Sequence, residues 1–117
     1  MAVLLIGTLD TKGEEYRYVR DSLVKAGLEV ITADAGVLGP PAFEPEVPRE
    51  SLFRLGGVDY AIVRAAGDRG QAVAAAAQGA AHLAQELYQA GRLSGILGLG
   101  GSAGTTIATA AMRVVPL

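Results

Sequence analysis

Three short, mainly apolar runs, Val3 to Ile6, Leu28 to Thr32 and Ser94 to Leu99, the first of them continuous, constrain the fold more than any other feature of this chain. A strand with water on one face alternates apolar and polar residues, whereas a strand covered on both faces of a parallel sheet reads as a continuous apolar stretch. The first run leads through GTLDTKG into Glu14 to Ala26, which places Tyr16, Val19, Leu23 and Ala26 on one helical face and ends at Gly27. The third leads through GLGGSAGTT into a helix over Thr105 to Val114, with Ile107, Ala110, Ala111 and Val114 inward. Repetition of strand, glycine loop and helix predicts an α/β chain: a Rossmann-like three-layer fold, with a small parallel sheet in the order 2-1-3 and helices on both faces.

The middle of the chain is more varied. Gly36 to Pro48 holds all but one of the five prolines and predicts an extended surface loop with no regular element. Ser51 to Leu55 suits a short helix. The stretch VDYAIV has strand propensity but lies between glycines without a clear period, and is read as helical. Gly70 to Gln89 is an alanine-rich helix with Val73, Ala76, Ala77, Ala80, Leu83, Ala84 and Leu87 on one face. Residues 1–117 are expected to form one nucleotide-binding subdomain, the amino-terminal part of a longer protein, because the last helix should feed another parallel strand.

Composition narrows the function. With 50% hydrophobic and 19% charged residues the chain is able to bury a core, which excludes disorder. A formal net charge of −2 without a basic cluster argues against direct nucleic-acid binding. The absence of cysteine removes disulfides, thiolate metal sites and a cysteine nucleophile. The first apolar run is too short for a signal peptide or a membrane span, so a cytoplasmic protein with no membrane partner is expected.

Ligands of open α/β sheets bind at the carboxyl ends of the strands, where both glycine loops fall. Gly98, Gly100 and Ala103 match G-x-G-x-x-G/A between a strand and a helix. Gly100, Gly101 and Gly104 would let backbone amides approach a phosphate, with Ser102, Thr105 and Thr106 adding hydroxyls or capping the helix. The first loop is no Walker A motif, yet it offers amides from Gly7, hydroxyls from Thr8 and Thr11, the ammonium of Lys12 and the Asp10 carboxylate, the last able to bind magnesium through water. Asp10 and Thr11 read equally as caps. Asp34, at the end of the second strand, is placed to accept from ribose hydroxyls or to serve as an ordinary turn residue. Asp68 reads as a helix cap, Arg69 as a phosphate contact or a carboxylate's partner, Tyr16 as helix packing and His82 as a surface or packed residue rather than a base.

GTLDTKGEE, the Asp34 to Gly36 D-x-G, RGQAV from Arg69 and LGLGGSAGTTIATAAMRVVPL together resemble the amino-terminal ATP-binding domain of the tomato mosaic virus resistance protein family. That resemblance implies a Rossmann-like subdomain binding ATP and dimerising, with Gly7, Thr8, Asp10, Thr11 and Lys12 in one loop and Gly100, Gly101, Ser102, Gly104 and Thr105 in the other. The expected activity is nucleotide binding, ATP with or without magnesium, in a homo-oligomer and without turnover by this chain. The alternatives are a fragment of a phosphoryl-transfer or metal-assisted hydrolytic enzyme, and a non-catalytic oligomerisation module.

Overall fold

The computed structural model describes residues 1–116. Its elements are β1 (Ala2–Gly7), α1 (Gly13–Lys25), β2 (Glu29–Asp34), α2 (Arg49–Leu55), α3 (Tyr60–Ala66), α4 (Arg69–Gln89), β3 (Leu93–Leu97) and α5 (Ser102–Arg113). All pairings in the three-stranded sheet are parallel and the order is β2-β1-β3, so β1 is central, as its unbroken apolar run requires. Leu4 and Ile6 point into the larger core with α2, α4 and α5, while Leu5 points to the opposite side, where Tyr16 of α1 packs. Helices therefore cover both faces. The radius of gyration, 13.0 Å, equals the roughly 13 Å of a self-contained domain of this length.

Sequence and structure differ at several instructive places. The inward stripe of α4 is wider than the sequence face, because Ala72, Ala75 and Gly79 are buried too. The cause is α2, whose backbone comes so close that a Cβ on Gly79 would lie 2.1 Å from the Leu52 carbonyl oxygen. On α1 only Gly13 and Tyr16 are fully buried, and Ala26 is exposed rather than inward. The proline-rich segment is not wholly free of sheet structure: Val47 bridges Ala33 in parallel, donating to the Thr32 carbonyl and accepting from the Asp34 amide, both at 3.0 Å. The Glu46 carboxylate accepts from the Thr32 amide at 2.7 Å, so this segment covers the outer edge of β2.

The last helix starts at Ser102, not Thr105, and ends before Val114, which is exposed while Val115 is buried in its place. Gly101 sets the early start. Its φ of 68° and ψ of 158° fall in a region that is essentially glycine's alone, and the chain turns there directly into the helix.

Candidate functional site

Because β1 and β3 are neighbours running the same way, the loops that follow them emerge side by side. Tyr16 fastens the end of β1 to the loop after β3. Its hydroxyl, fully buried, donates to the Ile6 carbonyl and accepts from the Leu99 amide, each at 2.9 Å. Burial raises the Tyr16 pKa above its ordinary value, and the Leu99 amide offsets this only in part. Gly7 makes room for the ring, since a Cβ there would lie 1.9 Å from the Tyr16 oxygen. This is a correction to its expected role: Gly7 seats Tyr16 and is not among the residues that border the cavity between the loops.

A cavity of about 430 Å³ opens between the loops. Thr8, Asp10, Thr11 and Lys12 border it from the first loop, and Gly100, Gly101, Ser102 and Gly104 from the second. The structure thus brings together most of the residues that the sequence nominates. Ala35, Val37, Leu38, Val63 and Ile107 form an apolar side, and Arg64 and Arg69 stand at its border. A roomier depression of about 660 Å³ between α2 and α3 contains neither glycine loop.

The two loops differ in what their polar groups are doing. In the first, the Leu9 amide donates to Asp34 at 3.2 Å, the Thr11 amide to Asp10 at 2.8 Å and the Lys12 amide to the Thr8 carbonyl at 3.0 Å. The Thr11 hydroxyl donates to that of Thr8 at 2.7 Å. Asp10 is engaged further, accepting from the amides of Leu38 at 2.8 Å and Gly39 at 3.1 Å. A carboxylate receiving three amides organises the loop that carries Leu38, while still bordering the cavity.

In the second loop the donors stand open. Among the described residues, no protein group accepts from the amides of Gly100 to Gly104, and no side chain caps α5. A helix start leaves its first amides without intrahelical partners, and here they border the cavity. Thr105 is an exception to its expected role: its amide donates to the Gly101 carbonyl at 3.2 Å, its carbonyl accepts from Thr109, and it stands outside the cavity.

Asp34 is also corrected. It is 1% exposed, accepts from the amides of Leu9 and Gly36, and forms a 2.8 Å ion pair with Arg49, so it has no oxygen facing a ribose. Asp68 caps α4 by accepting from the Gln71 amide at 3.0 Å. His82 is exposed on α4, away from the cavity. Arg64 was not legible beforehand, because it lies on α3, in the stretch whose periodicity was weakest; the two-loop tie through Tyr16 carried no signal beyond an aromatic on a packing face. Among the described residues no group of His, Asp or Glu is clustered to hold a metal ion, and no helix is long and apolar enough to cross a membrane.

Comparison with known proteins adds the family. The whole chain, residues 1–117, matches the family described as "Uncharacterised protein family (UPF0261) N-terminal domain". The chain belongs to the UPF0261 family. A UPF0261 protein of Clostridium tetani is 38% identical over 113 residues, covering 97% of this chain and 28% of the relative. One of Brucella suis is 34% identical over 115 residues, covering 98% of this chain and again 28% of the relative. The chain therefore spans a little over a quarter of the length of these UPF0261 relatives. Membership of UPF0261 overturns the resemblance to the tomato mosaic virus resistance protein family: the family match and the relatives are all UPF0261 proteins, and none links the chain to that group. What the resemblance implied about ATP has no standing from kinship, and rests on the site alone.

Proposed function

We propose that this domain binds the phosphate groups of a nucleotide, ATP or a close relative, in the cavity between the two glycine loops. One observation carries the reading: consecutive backbone amides from Gly100 to Gly104, without protein acceptors, border a cavity at the carboxyl edge of a parallel sheet. Such amides, with the helix start behind them, favour anionic oxygens. Lys12, Arg64 and Arg69 supply three cations at the same cavity, against the carboxylates of Asp10 and Asp68. Both carboxylates already accept from protein amides, so they oppose an anion less than free ones would. The apolar side formed by Val37, Leu38, Val63 and Ile107 is suited to a base.

The carboxylates at the cavity, Asp10 and Asp68, already accept from protein amides, and among the described residues no hydroxyl there is paired with a base, so binding rather than turnover is the activity proposed. Any magnesium would arrive on the nucleotide's own oxygens rather than on a protein cluster. Isothermal titration of the chain with ATP, with and without magnesium, tests the reading. Binding in the millimolar range or tighter, weakening from ATP to ADP to AMP, is expected. Absence of heat and of any thermal stabilisation by ATP would overturn it.

A further inference from the structure

A third hollow, of about 340 Å³, lies between the proline-rich segment and the α2 and α3 helices. Pro40, Pro41, Pro45 and Pro48 line it. A proline has no amide hydrogen, so these walls are stiff, apolar and without donors. Polar recognition there falls to Arg49, Tyr60 and Arg64.

Arg49 is the unusual member. It is only 6% exposed, its Nε donates to Asp34 at 2.8 Å and its Nη1 to the Tyr60 hydroxyl at 3.1 Å. Its Nη2 is fully buried and has no acceptor among the described residues. A buried guanidinium donor without a partner is costly, and an acceptor brought by a ligand relieves that cost. Burial works against the Arg49 charge, but the bonds to Tyr60 and Asp34 outweigh it and keep the group fully protonated.

We propose that this hollow is a second ligand site, for a small organic monocarboxylate whose apolar body lies against the prolines and Tyr60 and whose carboxylate meets Arg49 and Arg64. Charge decides the class. Two guanidiniums and two carboxylates, Asp34 and Glu50, line the hollow, and Asp34 is already paired with Arg49, so a ligand with one negative charge is opposed less than a phosphate with two or more. A planar carboxylate also matches the fork of Arg64 through two parallel hydrogen bonds, while Arg49, engaged at Nε and Nη1, offers Nη2 alone. Arg64 borders this hollow and the nucleotide cavity alike, so occupancy of one withdraws a cation from the other. The assignment does not depend on the nucleotide reading.

Titrations of the chain with benzoate, benzamide and phenylphosphonate, followed through backbone amide resonances, test it. Benzoate is expected to shift Gly39, Glu50, Tyr60 and Arg64 while leaving Gly100 to Ser102 in place. Benzamide and phenylphosphonate should bind about tenfold more weakly, the first for want of charge and the second for excess of it. Arg49→Met would leave Asp34 buried and unpaired and risks unfolding, so Arg64→Gln is the informative variant, with benzoate affinity falling about tenfold in a chain of unchanged spectrum. Tyr60→Phe, which frees a second guanidinium nitrogen, should hold benzoate at least as tightly as the parent. Equal binding of benzoate and benzamide, no shift with millimolar benzoate, or indifference to Arg64→Gln would overturn the assignment.

Discussion

The loop after β1 and the loop after β3 look alike as sequence, both glycine-bearing and both hydroxyl-rich, yet the fold uses them in opposite ways. In the first, amides and hydroxyls are bound to one another and to Asp10 and Asp34. In the second, the amides from Gly100 to Gly104 have no acceptor among the described residues. A glycine loop is a candidate anion site only if its donors remain unengaged, and that depends on carboxylates far along the chain. Asp34 lies 25 residues from the Leu9 amide it receives. The first loop is thus a wall that shapes the cavity, and the second is a floor of amides without protein acceptors.

The contrast is broken most severely by removing the tie between the loops. Tyr16→Phe leaves the Ile6 carbonyl and the Leu99 amide without their shared partner, and should lower stability by about 2–4 kcal/mol, read from urea denaturation. Next in size is Gly101→Ala. The strain of an alanine in a conformation that glycine alone adopts freely is about 1–3 kcal/mol, and distortion of the floor should weaken ATP about tenfold or more, measured by titration calorimetry.

A smaller effect is gated by pH. Burial raises the pKa of Tyr16, so the folded state favours the neutral phenol. Its contribution to stability is complete below the ordinary tyrosine value of 10.0 and is lost as pH rises above it toward the folded value. The stability gap between the parent and Tyr16→Phe should therefore narrow above that pH in denaturation curves, and remain constant below it. Smallest of all is Thr11→Val. The Thr11 hydroxyl already donates to Thr8, so ATP affinity should change by less than about threefold; a larger loss would show that the first loop contacts the ligand directly.

Much of this fold was legible in the sequence because its strongest signals are local. The apolar runs for β1 and β3 and the alanine-rich stretch for α4 follow from neighbours in the chain, whereas α3 came from a stretch without a clear period. The pairing of the two loops at one cavity was legible too, from strand order alone. What escaped was set by distant partners. Asp34 reads as a ribose contact until Arg49 turns its carboxylate inward. Asp10 reads as a cap or a metal contact, and the Leu38 and Gly39 amides that it accepts lie 28 and 29 residues away. Gly7 reads as a phosphate turn until the Tyr16 ring fills the space beside it. In each case a side chain suited to a ligand is equally suited to a backbone or side-chain partner within the protein, and only packing decides between them.

The difference between the loops is tested most directly by titrating the isotope-labelled chain with ATP and magnesium while following backbone amides. The amides of Gly100 to Gly104 should show the largest shifts, with those of Leu9, Thr11 and Lys12 moving little because their hydrogens remain on protein acceptors. Larger shifts in the first loop than in the second, or none in either at millimolar nucleotide, would contradict the account.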